Sequence, residues 1–290
     1  MQIIDGKTIA ATVKTEIANE VKKMIDADLN PPHLAAILVG NDPASETYIA
    51  SKERACKEVG FTSSVYRLSE NTTEEELLKT IEFLNNDNEL DGYILQLPLP
   101  KHIDANKIIF AINPDKDVDG FHPQNIGRMV MDMPCFLPAT PAGIMMLLER
   151  SNIETEGKNC VVVGRSNIVG TPISILLSRN SKKANCTVTL CHSRTKNLKE
   201  ICASADILVA AIGQPGFITA DMVKEGAVVI DVGIHRIEDD SEKGYKIIGD
   251  VKFDEVAPKC SFITPVPGGV GPTTIVSLLN NTLKAAMKTL

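Results

Sequence analysis

Little in this 290-residue chain favours binding to a polyanion or a membrane. Acidic residues outnumber basic ones by 37 to 30, a formal net charge of −7, where general nucleic-acid binding would want the opposite excess. No apolar run is long enough to span a bilayer. The stretch Met1 to Lys7 lacks the apolar centre of a signal peptide. The seven cysteines are odd in number, and no two stand in a Cys-x-x-Cys pair, which argues against a disulfide framework and against zinc. Cys56, Cys160, Cys186, Cys191 and Cys202 fall in apolar segments and read as small core residues. No internal repeat or low-complexity tract is visible. These absences leave a globular protein of the reducing cytoplasm, with no metal site expected.

What is present is alternation of strand and helix. Ile9, Val13, Ile17, Val21 and Ile25 recur every four residues and mark an amphipathic first helix. A strand is predicted from His33 to Gly40, and a helix opened by Asp42-Pro43 and closed by Gly60. A weak strand follows from Val65 to Leu68. Thr73 with Glu76 forms a capping-box start for a helix through Leu84. A strand from Asp91 to Leu97 follows, and Thr140-Pro141 begins a helix through Arg150. The second half adds strands at Asn159–Val163, Thr187–Cys191, Asp206–Ile212 and Ala227–Val232. Between Ile234 and Val251 two β-prone runs flank Asp239 to Gly244, the pattern of a hairpin. The fold class is α/β: two α/β domains around a cleft, the second a Rossmann-like dinucleotide-binding domain with a parallel sheet. The expected division is 1–139, completed by a C-terminal helix over 272–290, and 140–271.

The segment Cys160 to Leu177 reads as an apolar strand, a turn flanked by Gly164 and Gly170, and a helix. Thr171 is placed to cap that helix and Pro172 to occupy its first position. Such a turn aims N–H groups and the positive helix end at one spot, which suits a phosphate. The spacing is not G-x-G-x-x-G, and a strand–helix turn of any α/β domain would look similar. The next strand ends in His192-Ser193-Arg194-Thr195, where an NAD site would carry an Asp or Glu for the ribose. Hydroxyl and guanidinium groups, with Arg165 in the first turn, suit a 2′-phosphate and favour NADP; a solvated loop charge is the other reading of Arg194.

Lys52 lies on the apolar stripe of its helix, with Ile49, Cys56 and Val59, and Tyr48 shares its face one turn earlier. A lysine on a buried face has a lowered pKa and can carry protons near neutrality, unless its ammonium merely reaches the edge. Gln96 ends a strand directly before Leu97-Pro98-Leu99-Pro100, either as a site amide or as an ordinary polar strand end. Asp115, Asp117, Asp119 and Gly120 imitate half an EF-hand loop, but the position due a bidentate acid is Ile126, which excludes calcium. The loop could hold a ligand's amine or be a solvated acidic turn. Thr264 to Thr273 is rich in Pro and Gly and suits close approach to a flat ligand, but has no Walker lysine.

Taken in order and spacing, these segments resemble the bifunctional methylenetetrahydrofolate dehydrogenase/methenyltetrahydrofolate cyclohydrolase family over almost the whole chain. The resemblance implies NADP-dependent oxidation of 5,10-methylenetetrahydrofolate to 5,10-methenyltetrahydrofolate, then hydrolysis to 10-formyltetrahydrofolate. It implies Lys52 as general acid/base, Gln96 as the group that orients it, Tyr48 packing on folate and Asp119 holding the pterin. Leu97, Pro98, Pro265, Gly268 and Gly269 would wall the folate. Gly164, Arg165, Ser166, Ile168, Ser193, Arg194, Gly213 and Ile234 would bind NADP. The family pattern further implies a homodimer joined through the cofactor domains. Ala139 and Ala142 depart from the small Cys and basic residue that the family often has there. A dehydrogenase without hydrolysis and a non-catalytic binding protein are the competing readings; the joint presence of Tyr48, Lys52 and Gln96 argues against both.

Overall fold

The computed structural model describes residues 1–240 and 244–290. The chain forms two compact units, one of Met1–Ala11 with Thr140–Thr274, the other of Thr12–Ala139 with Ile275–Leu290. The first eleven residues, which the sequence reading put with the first half, therefore group with the second. Strand β1 (Gln2–Ile3) pairs in parallel with β11 (Phe262–Ile263), near the far end of the chain. At Gly6, which opens helix α1 (Gly6–Asp26), a Cβ would lie 1.8 Å from the carbonyl oxygen of Gly269. Two main chains come that close only where a side chain is missing.

The unit of Thr12–Ala139 and Ile275–Leu290 is built on β2 (His33–Val39), α2 (Pro43–Val59), β3 (Thr62–Leu68), α3 (Glu74–Asn86) and β4 (Gly92–Leu95). Its three strands are parallel, in the order β3-β2-β4. Local chemistry sets the helix ends. Asp42 accepts the Ser45 N–H at 2.8 Å at the start of α2, and Gly60 ends it with φ 82°. Thr73 and Glu76 make the expected reciprocal capping box on α3. Ile37, Val39, Leu77, Ile81, Leu84, Tyr93 and Leu95 pack as one buried cluster. In α1 the buried stripe is Ala10, Val13, Ile17, Val21 and Met24, whereas Ile25 is exposed. A strict four-residue repeat drifts about 40° per step around a 3.6-residue helix, so its last member leaves the core face. Two short helices, α4 (Ala105–Ala111) and α5 (Pro123–Val130), occupy a stretch in which the sequence reading placed no element.

After α6 (Ala139–Arg150), the other unit runs through β5 (Asn159–Val163), α7 (Gly170–Ser178), β6 (Thr187–Cys191), α8 (Leu198–Ala203), β7 (Ile207–Ala210) and β8 (Val228–Asp231). Its six-stranded parallel sheet has the order β1-β11-β8-β7-β5-β6. The strand order reverses at β5, whose neighbours β6 and β7 lie on opposite sides, so the crevice beyond its C-terminal end is a topological switch point. The expected hairpin is present as antiparallel β9 (His235–Glu238) and β10 (Tyr245–Ile248). Residues 241–243, between these strands in the sequence, lie outside the described residues. A short α9 (Phe253–Val256) precedes β11, and α10 (Val270–Met287) closes the fold, starting two residues before the expected boundary. Pro272 therefore falls in its first turn, where the missing N–H costs no intrahelical bond.

Candidate active site

Helix α2 follows β2, and Gln96 follows β4, so both approach the C-terminal ends of the three-stranded sheet. The backbone N–H of Gln96 donates to Ile37 at 2.9 Å, extending the ladder one residue and fixing where its side chain starts. Ile49, Ala55, Cys56 and Val59 are buried on the face of α2 that also carries Lys52. The Lys52 Nζ donates to Gln96 Oε1 at 3.2 Å, and Gln96 Nε2 donates to the Leu97 carbonyl at 2.8 Å. The second bond orients the amide so that its oxygen, not its nitrogen, faces the amine. The adjoining Leu97–Pro98 bond is cis. Burial lowers the Lys52 pKa below the ordinary lysine value, with the Asp119 carboxylate pulling the other way. Burial likewise raises the Asp119 pKa, against the opposing pull of Lys52. Amine, amide and carboxylate thus form one electrostatic cluster. Tyr48 stands one turn away on α2 and is exposed.

The loop that carries Asp119 is anchored by Asp117, two residues earlier. Asp117 is buried and accepts the N–H groups of Phe121 at 3.2 Å and His122 at 2.7 Å, and the Asn125 amide at 2.9 Å. Burial still pushes its carboxyl up to about 6. A parallel bridge between Tyr93 and Asp117 lays the loop along β4. Gly92 makes room for it: a Cβ there would lie 2.3 Å from Val118 Cγ1. From α10, the Asn281 amide donates to the carbonyls of Val118 at 2.8 Å and Leu137 at 2.9 Å, pinning the backbone next to Asp119. The first of these devices had a signal in the sequence, the acidic loop itself. Asn281 had none, because a polar residue in a helix does not announce which distant carbonyl it meets.

In the other unit, the residues expected to bind the cofactor gather at one edge of the sheet. Gly164 to Ile168 follow β5, Ser193 and Arg194 follow β6, Gly213 follows β7 and Ile234 follows β8. Gly164 has φ 119°, and a Cβ there would meet the Ala211 oxygen at 2.0 Å; one on Gly170 would meet the Gly164 oxygen at 1.9 Å. Both glycines let the turn fold tightly onto the sheet below α7. Thr171 does not cap this helix: Val169 is the N-cap residue, and Ser166 Oγ, in the turn before it, accepts from Val169 N at 3.1 Å and Gly170 N at 3.3 Å, while Thr171 Oγ1 donates to the Arg165 carbonyl. The helix starts earlier than expected, so Thr171 is already inside it. Arg165, Ser166, Ile168, Ser193, Arg194, Gly213 and Ile234 are exposed. Glycine-tight turns and exposed guanidinium and hydroxyl groups at a switch point fit a phosphorylated dinucleotide. Pro265, Gly268 and Gly269 belong to this same unit, beyond β11, and not to the unit that holds Lys52.

A Rossmann-like sheet with a phosphate-suited edge, and a separate half-buried cluster of Lys52, Gln96 and Asp119, fit the class of dinucleotide-dependent enzymes. Two family profiles match the chain. The tetrahydrofolate dehydrogenase/cyclohydrolase catalytic domain covers residues 4–119, and the NAD(P)-binding domain of the same family covers residues 138–290. The bifunctional protein FolD of Cytophaga hutchinsonii is 60% identical over 287 residues, 99% of each chain. That of Porphyromonas gingivalis is 59% identical over 286 residues, 98% of this chain and 97% of its own. Among solved structures, the FolD methylenetetrahydrofolate dehydrogenase/cyclohydrolase of Campylobacter jejuni is 46% identical with a TM-score of 0.94, covering 100% of both chains. The Trypanosoma brucei enzyme, complexed with NADP and an inhibitor, is 36% identical with a TM-score of 0.93, covering 99% of this chain and 97% of its own. The chain belongs to the tetrahydrofolate dehydrogenase/cyclohydrolase family.

Proposed function

We propose that this chain oxidises 5,10-methylenetetrahydrofolate with NADP and then hydrolyses the methenyl product to 10-formyltetrahydrofolate, with Lys52 as the proton-transferring group. The observation that carries the assignment is the contact between the half-buried Lys52 amine and the Gln96 amide oxygen. Hydrolysis needs a proton taken from the attacking water and another delivered as the ring opens. Burial lowers the Lys52 pKa, so its amine gives up a proton more readily than an ordinary lysine does. Gln96 holds Nζ in place without adding a charge that would restore the ammonium. Asp119 accepts hydrogen bonds from the pterin N–H groups, and Tyr48 packs against the ring. Leu97 and Pro98, next to Gln96 in the chain, form part of the folate wall.

Bound NADP would supply the hydride acceptor for oxidation of the folate methylene carbon. Gly164, Ser166 and Ile168, at the turn before α7, would hold its pyrophosphate and ribose. Arg165, Ser193 and Arg194 would hold the 2′-phosphate, and Gly213 and Ile234 would lie along the nicotinamide half. The units expected at 1–139 and 140–271 thus divide the work between folate and cofactor, with residues 1–11 joined to the cofactor unit.

We infer further that the enzyme works as a homodimer in the cytoplasm. The open edge of the sheet at β6, where Leu190 is exposed, and the β9–β10 hairpin offer surfaces for a second copy. All seven cysteines are buried, which suits a reducing compartment. Light scattering of the purified protein tests the dimer; a monomer mass across micromolar concentrations would reject it.

The assignment of Lys52 is tested with Lys52→Met, which keeps the apolar stem and removes the amine. Hydrolysis of methenyltetrahydrofolate is expected to fall by roughly 10²–10⁴-fold, the usual contribution of a positioned acid–base group, while folate still binds. Hydrolysis within threefold of the unaltered enzyme would sink the assignment.

A further inference from the structure

Two buried carboxylates stand beneath the cofactor edge and take no part in the roles given above. Asp231 is the last residue of β8, and Asp250 follows β10; Asp250 is fully buried. Three successive backbone N–H groups converge on Asp250: Ile212 at 2.7 Å and Gly213 at 3.0 Å on Oδ2, and Gln214 at 2.9 Å on Oδ1. The His235 Nε2 lies 2.7 Å from the same Oδ1. Asp231 in turn grips the neighbouring backbone, accepting from Gly233 N at 3.0 Å, Asp250 N at 2.8 Å and Val251 N at 3.0 Å.

The surrounding chain is shaped to admit both groups. A Cβ on Gly233 would lie 2.5 Å from Asp250 Oδ1, and one on Gly249 would lie 1.9 Å from Asp231 Oδ2. Asp231 therefore fixes the main chain that carries Asp250, and Asp250 fixes the turn after β7 and the residue after Ile234. Gly213, at the centre of that turn, has φ 75°. A carboxylate suits this task better than an amide. It offers acceptors on both oxygens, and here each oxygen is used twice.

We propose that Asp250 is a positioning residue for NADP, setting the backbone of Gly213 through three N–H bonds and that of Ile234 through His235, with Asp231 as its own support. The inference rests on the reading of this edge as the NADP site. Both loops lie at C-terminal strand ends, where a dinucleotide is held by main chain as much as by side chains. A turn held by three bonds to one buried acceptor meets its ligand already ordered, which avoids the entropy of ordering it on binding.

Asp250→Asn is the direct test. Whichever way the amide sits, its NH₂ confronts donors that the carboxylate accepted. The Kd and KM for NADP are expected to rise at least tenfold. At saturating NADP the dehydrogenase kcat should stay within threefold, and cofactor-free hydrolysis of methenyltetrahydrofolate within twofold. His235→Gln, which can return an N–H to Oδ1, should bind NADP nearly as the unaltered enzyme does, whereas His235→Leu should weaken it several-fold. This second pair decides the matter if Asp250→Asn does not fold. NADP affinity within twofold in folded Asp250→Asn would overturn the proposal, as would an equal fall in both activities. So would His235→Leu and His235→Gln binding NADP alike. Failure of the unaltered enzyme to bind NADP would overturn the reading of the edge itself.

Discussion

Gln96→Glu turns the Lys52 contact into a quantitative test. In the native site the amide oxygen stands 3.2 Å from Nζ and carries no formal charge. A carboxylate there adds a full negative charge at nearly the same distance. At an effective dielectric of about 20, the attraction to an ammonium comes to roughly 5 kcal/mol. Desolvating the new carboxylate costs several kcal/mol and offsets most of this. The net result for such neighbours is a pKa displaced by roughly 1–3 pH units, toward the charged form. The sign is definite: burial lowers the native Lys52 pKa, and the new anion raises it again. The neutral amine at pH 7 should then become scarcer, and hydrolysis at that pH should fall. Its rate should recover as pH rises, along a limb displaced upward by the same 1–3 units. Methenyltetrahydrofolate absorbance followed from pH 6 to 9.5 gives the profile, corrected for the uncatalysed reaction. Gln96→Ala, which removes the bond without adding charge, should lose rate with no upward displacement. A loss in Gln96→Glu that is the same at every pH would refute the reasoning, because the amine would then not be the titrating group.

Two further perturbations test other parts of the site. Arg165→Ala should weaken NADP by about 10- to 100-fold, the strength of a charge-assisted contact to phosphate, and leave NAD nearly unchanged; equal losses in paired titrations would remove Arg165 from the 2′-phosphate site. Asp117, with its folded carboxyl pushed up to about 6 from a reference near 3.8, binds more protons folded than unfolded between those values. Its contribution to stability is therefore most favourable below pH 4 and declines by about 3 kcal/mol as pH rises through 6. Urea curves of the native protein and Asp117→Asn should show the native advantage shrinking from pH 4 to pH 6.5; a constant difference would contradict the raised carboxyl.

Much of the fold was legible because its signals are local. Asp42 and Gly60 bound α2, and Thr73 with Glu76 opens α3, through bonds within one helical turn. Strands β5 and β6 fall at their predicted limits because each is a short run of β-prone residues bounded by turns. The Lys52 cluster was legible in part: helical spacing put the lysine on a buried face, and the prolines after Gln96 marked a strand end. The bonds from the start of α7 to Ser166, and not to Thr171, carried no local signal, since the path of the turn decides which hydroxyl meets the open N–H groups.

By itself the sequence determined the alternation of strand and helix, the ends of α2 and α3, the helix face that carries Lys52 and the glycine turn, because each follows from side chains within a few residues of one another. Only the tertiary structure decided that the first eleven residues join a strand formed some 260 residues later, and that Asn281 pins the loop of Asp119. It alone showed that Asp250 gathers the backbone of two separate loops. The physical reason is common to all three. A backbone N–H or carbonyl is the same group in every residue, so a partner distant in sequence is selected by where the folded chain brings it and not by any local pattern.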